Sequence, residues 1–540
     1  MMKLDCLLIH APKLNNFYRL YGSHMFGMVM PMGLLAIADY SYRKGIKVEV
    51  LHFGIEMINN PRFSISDYVK KTSPQVVGLS LHWHQQSYDV IELARKVKLA
   101  NPRVFVILGG LTASFFHQEI IKNFDCIDGI IRGDGEIPFF KLTEAILGGN
   151  KDLSSVPNLT WRSGNNVVRA NKISYVAQSE DMDKFNFTNF NLLKNHRLYV
   201  NYAKIPWLWI NGVGKWINLR LSQIRKFLPI PMFRGCPVDC SFCGGSKFSQ
   251  ELINGRKDVA IRSIDTVVES IREAYSYGYA TIFIEHLCLP DREDYFKRLF
   301  EKIRTERLKV NCIMECGPLP SPELIRMFKE TFLETHSMIL LSPESSSEKI
   351  RRINKGYYFS NDEFLQTLRF MSKLRIPAEV CFALGLPFET PRELDDTKRF
   401  QRFLKNEFND NVTMRTQIIE LDPGSPMYVN PSKYRIIKER DSFSEFYYQN
   451  NGRADNYFGF KLGYCYHMPD AEIAKSASDR INPLEKQLRQ RMCKDFCRIS
   501  NLVKADKAFF EKIISLFSRL VCHFAYLCWK IKDFNKSEIK

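Results

Sequence analysis

The sequence has no uncharged apolar run of the roughly 18 residues a spanning helix needs; the nearest, Leu520 to Trp529, is about half that length and contains His523. An integral membrane protein is not expected. Met1 to Leu8 lacks a basic-then-apolar leader. Fourteen unevenly spaced cysteines in 540 residues are too sparse for a disulfide-stapled scaffold, and a reducing, cytoplasmic compartment is expected. At 45% hydrophobic and 25% charged residues, the chain is too apolar for intrinsic disorder. Positive charge is in excess. Seventy-seven Lys and Arg against 59 Asp and Glu leave +18, a surface that attracts nucleic acid, anionic lipid head groups or an acidic substrate. The length suits about three domains.

The first 150 residues alternate short apolar runs with amphipathic stretches. Asp5 to His10, Lys47 to His52, Val77 to His82, Val104 to Gly109 and Gly129 to Ile131 read as strands; Met32 to Arg43 and Tyr88 to Leu99 repeat apolar residues at helical spacing. Strict alternation predicts a parallel, doubly wound sheet, which binds ligands beyond the carboxyl ends of its strands. Those ends are small or polar: Ala11-Pro12, Ser80 to His84, Gly109-Gly110 and Arg132-Gly133-Asp134-Gly135-Glu136. Each glycine alone would serve equally as a turn. With Pro31-Met32-Gly33-Leu34, Thr112 and Ser114, the set resembles the cobalamin-binding domain fused to many radical SAM enzymes. The resemblance implies that Gly109, Gly110 and Gly133 border the cofactor. The D-x-H-x-x-G loop that gives cobalt a histidine in other cobalamin proteins is missing. Alternation sends His82 and His84 to one face, where packing or hydrogen bonding is the expected role, and neither is assigned to cobalt.

Asn158 to Ala170 reads as a hairpin turning at Ser163-Gly164-Asn165-Asn166. From His196 to Phe233 the chain is both basic and aromatic, with Trp207, Trp209, Trp216, Lys204, Lys215, Arg220 and Lys226. That mixture suits peripheral contact with a membrane face. A linker packing its aromatics between domains would read the same way.

Cys236, Cys240 and Cys243 form a CxxxCxxC motif directly after a short apolar strand. Three thiolates this close favour iron-sulfur or zinc ligation, yet a structural zinc site takes four ligands and no fourth Cys or His is nearby. Beyond the motif, strands at Thr281 to Glu285, Val310 to Glu315, Met338 to Ser342, Ala378 to Leu384 and Met414 to Leu421 alternate with helices. The clearest helix is Ser263 to Tyr275, with Ile264, Val267, Val268, Ile271 and Tyr275 as one apolar stripe. With the strand before Cys236 there are six. The strand ends carry Ser342-Pro343-Glu344-Ser345, Ile353-Asn354-Lys355-Gly356, Leu384-Gly385-Leu386-Pro387 and Asp422-Pro423-Gly424-Ser425-Pro426-Met427-Tyr428.

CxxxCxxC with Phe242 before its last cysteine, followed by these strand ends in order, resembles the radical SAM superfamily. The resemblance implies a partial six-stranded (β/α) barrel with its chemistry at the strand carboxyl ends. It implies a 4Fe-4S cluster on Cys236, Cys240 and Cys243, with one iron left for S-adenosylmethionine (SAM). Phe242 would flank the adenine, Glu344 and Ser345 would contact the methionine moiety or ribose, and Glu285 would receive the amino group. Cys316 and Cys288 end strands at the barrel mouth, as substrate-side thiols or as small packing groups.

The expected organisation is a cobalamin-binding-like domain over 1–150, a hairpin and basic aromatic connector over 151–229, the barrel over 230–428 and a mainly helical region over 429–540. In that last region Cys493 and Cys497, with Cys465 and His467 upstream, outline a conceivable second metal site, and Phe509 to Trp529 forms a dense apolar helix that would dock on the barrel or lie on a membrane surface. Together these features imply a cobalamin-dependent radical SAM enzyme, methylating an unactivated carbon of an apolar, lipid-like or natural-product small molecule. A flavodoxin or ferredoxin would supply electrons. Radical cyclisation, rearrangement or carbon-carbon bond formation is the alternative within that machinery. A nucleic-acid-binding or nucleic-acid-modifying protein with a structural cluster is the alternative outside it, and no RNA-binding motif supports it.

Overall fold

The structure, a computed structural model, describes residues 3–11, 30–60, 62–164, 167–202, 227–286, 293–438, 440–449 and 466–467. Five short strands, β1 (Cys6–His10), β2 (Val48–His52), β3 (Val76–Ser80), β4 (Phe105–Gly109) and β5 (Gly129–Ile131), pair in parallel in the order β2-β1-β3-β4-β5. Their near-continuous apolar sequences follow from burial on both faces. Cys6 and Leu8 enter one core while Leu7 and Ile9 enter the other.

The sheet departs from the expected all-parallel form. β6 (Leu159–Arg162) and β7 (Val168–Ala170) form the anticipated hairpin, but it adds antiparallel to β5 and makes a mixed sheet of seven strands. The hairpin supplies the partner that the three-residue β5 would otherwise lack on that edge, burying Leu159 and Trp161 as it does so. It belongs with the first domain rather than with a connector.

A second sheet holds β8 (Phe227–Pro229), β11 (Thr281–His286), β12 (Asn311–Cys316), β13 (Met338–Glu344), β14 (Ala378–Leu384) and β15 (Val412–Ile418), all parallel, in the order β15-β14-β13-β12-β11-β8. β9 (Phe233–Arg234) and β10 (Ala260–Ile261) form a small antiparallel pair outside it. The six expected strands are present, although the first begins at Phe227 rather than at 230. The helix Ile264–Ser276 starts where expected, with the Ser263 hydroxyl accepting from Thr266 N–H at 3.4 Å. Its buried stripe is Val267, Val268, Ile271 and Ala274; Tyr275 is exposed.

Beyond the barrel, the helix Phe443–Gln449 buries Phe443 and Phe446 in the core of the first domain, and the Glu119 carboxylate accepts from Phe443 N–H at 2.9 Å and Ser444 N–H at 3.0 Å. Trp207 to Lys226, Cys288, Cys465, Cys493, Cys497 and Phe509 to Trp529 lie outside the described residues. Among those described, no helix is long and apolar enough to cross a membrane.

His286 ends β11 on its helix-facing side, 4.7 Å from the Phe296 ring, and neither ring nitrogen has a hydrogen-bond partner among the described residues. Burial lowers its pKa to about 4, with Glu293 partly offsetting. A folded pKa below the unfolded value of 6.5 means the stability is present above that value and is lost as pH falls towards 4. The difference corresponds to about 3 kcal/mol. Between pH 7 and 4, His286→Leu is expected to lose less stability than the wild type by about that amount, read by urea unfolding of each.

Candidate active site

The Cys236–Cys243 loop leaves β9 through Gly235, whose φ of 97° suits glycine and whose Cβ, if present, would lie 2.7 Å from Arg256 Cδ. Inside the loop Cys243 N–H donates to Cys240 O at 3.2 Å and Ser246 N–H to Cys243 O at 3.2 Å. Lys247 N–H donates to Val238 O at 2.9 Å, and Phe248 N–H to Asp239 Oδ1 at 2.6 Å. The loop therefore closes on the start of the helix Lys247–Asn254, capped by Ser246.

Three distant strand-end segments meet beneath it at Ser241. Ser241 N–H donates to Asn354 O at 2.9 Å and its hydroxyl to Asn354 Oδ1 at 2.6 Å; Asn354 Nδ2 donates to Pro387 O at 2.9 Å; Met427 N–H donates to Ser241 O at 2.9 Å. Gly356 packs behind the loop, where a Cβ would fall 2.6 Å from Asp239 N, and its N–H points at Cys240 Sγ at 3.5 Å. Gly245 N–H points at Cys243 Sγ at 3.4 Å. The expected family marks thus act as one support for the cysteine loop.

All three thiols are free and half-buried, and burial pushes Cys243 up to about 12, with Asp422, Cys240 and Cys236 adding to the shift. Among the described residues no three Cys, His, Asp or Glu side chains converge on one point as a single ion requires. Thiolates of a cubane bind different irons, so a shared loop with sulfur-directed N–H groups fits that donor set.

Glu285, on β11, is an exposed residue whose carboxyl pKa is nonetheless raised by desolvation. Glu344, buried and at φ 62°, accepts from Lys355 Nζ at 2.9 Å. Its Oε2 has no hydrogen-bond partner among the described residues, an orphan fitting a polar ligand beside the loop. Phe242 lies 5.8 Å from the Lys355 ammonium. Ser345 is fully buried, its hydroxyl 3.4 Å from Thr397 Oγ1 and accepting from Ser347 N–H at 3.2 Å. Cys316 is not at the barrel mouth. Strand alternation turns it outward into the helix-packed core, and Glu315 faces inward in its place.

At the carboxyl ends of the first sheet, Gly109 has only Ile131 O, at 3.9 Å, near its missing side chain. Gly110, at φ 113°, serves a close backbone approach, since a Cβ would stand 2.6 Å from Leu81 O; Gly133 faces Asn254 at 3.3 Å. His82 and His84 do not share a face: β3 ends at Ser80 and His84 opens a 3-10 turn, so alternation stops before either. His84 is buried, 3.4 Å from Glu420 and 3.8 Å from Asp422, while His82 is exposed. Small residues and an exposed imidazole at this edge fit a large flat ligand, which Gly109 and His82 would border.

The carboxylates of Arg132-Gly133-Asp134-Gly135-Glu136 have a role the sequence did not disclose. Arg234 donates to Asp134 at 3.1 Å and to both Glu136 oxygens at 2.9 and 2.6 Å; Arg256 donates to Asp134 at 2.5 Å. These buried pairs tie the first domain to residues flanking the cysteine loop. Opposite charges are visible in the sequence, but not which ones meet.

Comparison with known proteins finds both domains. Residues 230–400 match the model of the radical SAM superfamily and residues 18–142 that of the B12 binding domain. The chain is 22% identical over 364 residues to the hopanoid C-3 methylase of Methylococcus capsulatus, covering 66% of this chain and 62% of that protein. It is 24% identical over 399 residues to the anaerobic magnesium-protoporphyrin IX monomethyl ester cyclase of Rubrivivax gelatinosus, covering 71% and 64% respectively. It thus spans less than two thirds of either relative. The structure of the methyltransferase TsrM from Kitasatospora setae, with cobalamin and a [4Fe-4S] cluster bound, shares the fold at a TM-score of 0.58 and 15% identity, over 83% of this chain and 81% of that one. With a B12 binding domain ahead of a radical SAM domain, the chain belongs to the cobalamin-dependent radical SAM enzyme family.

Proposed function

We propose that this protein methylates an unactivated carbon of a small molecule, with Cys236, Cys240 and Cys243 as the ligands of the cluster. The carrying observation is that segments at the carboxyl ends of both sheets meet beside the cysteine loop, with Gly133 against Asn254 and His84 3.8 Å from Asp422. Cys236, Cys240 and Cys243 would hold the cluster, which would supply an electron for reductive cleavage of SAM, and Gly109 and His82 would border cobalamin, which would supply a methyl carrier. The chain's part is positioning. Gly245 and Gly356 direct N–H groups at two sulfurs, Glu285 and Glu344 offer carboxylates to the SAM ammonium, and Phe242 flanks the adenine.

Relatives described as methyltransferases, the hopanoid C-3 methylase and cytidylyl-2-hydroxyethylphosphonate methyltransferase of Streptomyces wedmorensis among them, support methyl transfer. The Rubrivivax cyclase, matching the larger share of this chain, keeps cyclisation as a second reading. The aromatic, basic segments around Trp207 to Lys226 and Phe509 to Lys530 support an apolar or lipid-like substrate and contact with a membrane face. A flavodoxin or ferredoxin is the proposed electron donor.

The test is anaerobic reconstitution with iron, sulfide, cobalamin, SAM and a strong reductant. Methyl transfer is expected to yield 5′-deoxyadenosine and S-adenosylhomocysteine together, both dependent on the cluster. Deoxyadenosine alone favours cyclisation or rearrangement, and neither product from a protein with an intact cluster overturns the proposal.

A further inference from the structure

The register of the second sheet sets three carboxylates in one layer of the barrel lumen. Glu285 stands beside Glu315, Glu315 beside Leu340, and Leu340 beside Glu379. Below them Phe227, Phe283, Ile313 and Met338 pack with Leu340 of that layer into an apolar floor separate from the main cores. A carboxylate above such a floor loses hydration and needs a compensating charge or proton.

The bases that the described residues supply are few. Arg415 Nε lies 3.0 Å from Glu379 and Arg415 Nη2 lies 3.0 Å from Cys381 Sγ, so that arginine is engaged. Lys355 is held by Glu344. Among the described residues four carboxylates, Glu285, Glu315, Glu344 and Glu379, therefore face two bases. The site extends beyond the acidic layer itself: Glu344 is 5% exposed, its Oε2 is unpartnered, and it stands near enough to Glu315 to influence its titration, as do Lys355 and Arg415. Burial, and then Glu285, push Glu315 up to about 7.

SAM brings one ammonium, which Glu285 or Glu344 would take in the reading above. Among the described residues Glu315 then has no ion-pair partner. We infer that Glu315 anchors a cationic nitrogen of the substrate, a primary or secondary ammonium group seated over the apolar floor. The inference rests on the proposed reaction, because it takes the lumen beside SAM as the substrate's place. It narrows the substrate class to amine-bearing small molecules whose remaining surface is largely apolar.

The experiment compares n-hexylammonium with 1-hexanol as probes, by isothermal titration into reconstituted holoenzyme with SAM bound. Wild type is expected to bind the amine at least about tenfold more tightly than the alcohol, a difference typical of one charge-assisted hydrogen bond. Glu315→Gln is expected to bring the ratio near one, and Glu315→Asp, which keeps the charge, to retain the preference. Unchanged melting and cluster absorbance establish that each variant is folded. Equal binding of the two probes by wild type, binding of neither, or a preference that survives in Glu315→Gln overturns the inference. Cluster-dependent deoxyadenosine formation is measured on the same wild-type preparation. Its presence without an amine preference defeats the anchor alone, whereas its absence defeats the proposed reaction.

Discussion

Cys243→Ala is expected to reduce 5′-deoxyadenosine formation to background while leaving the fold in place. The Cys243 sulfur accepts only a 3.4 Å contact from Gly245 N–H and stands outside the apolar cores, so its loss changes apoprotein stability by no more than about 1 kcal/mol. As a ligand its loss is decisive. Two thiolates cannot replace three, and the free thiol's raised pKa shows that the site, without metal, favours protonated sulfur. The checks are iron and sulfide content per chain, deoxyadenosine yield and thermal melting. A variant that keeps its iron and still cleaves SAM would remove Cys243 from the ligand set.

Asp134→Ala is expected to cost about 3 to 5 kcal/mol, the range for removing one partner of a buried ion pair. Arg256 is 3% exposed, and its guanidinium would retain the Ala177 carbonyl at 2.9 Å and a long contact with the Asp258 carbonyl at 3.5 Å, with no charge to balance it. Ala177 N–H, 2.8 Å from the same carboxylate, would lose its acceptor. Glu136→Gln should cost less, because its amide still offers one oxygen to Arg234. Both changes lie between the first domain and the cysteine loop, so both should lower the ratio of S-adenosylhomocysteine to deoxyadenosine as well as stability. Urea unfolding reads the first effect and product analysis the second. A stability loss with an unchanged ratio would make the pairs supports of the fold alone.

Most strands were legible because their cues are local. Apolar runs alternating with helical spacing located nearly every strand of both sheets, and the turn Ser163-Gly164-Asn165-Asn166 marked the hairpin. Pairing is nonlocal, and the sequence did not reveal that the hairpin would extend the first sheet. The inward role of Glu315 was hidden for a similar reason. One position along a strand reverses the side chain, and Cys316, the more conspicuous residue in the sequence, is the one that faces the helices. His82 and His84 were read as strand residues because nothing between Leu79 and His84 signals that pairing ends at Ser80. The motif glycines were found, but Gly110 and Gly133 answer first to neighbouring protein atoms, Leu81 and Asn254.

The meeting of segments at Ser241 also orders assembly in time. Residues 241, 354, 387 and 427 come from successive units of the barrel, and the hydrogen bonds joining them close only once the last of these has been synthesised and docked. Contacts of such sequence separation form late, after the local helices and adjoining strands. Maturation of the cysteine loop is accordingly a late event. Until residue 427 is seated, the nascent chain exposes three oxidisable thiols on an unsupported segment, the stage at which oxygen or misplaced metal would do most damage.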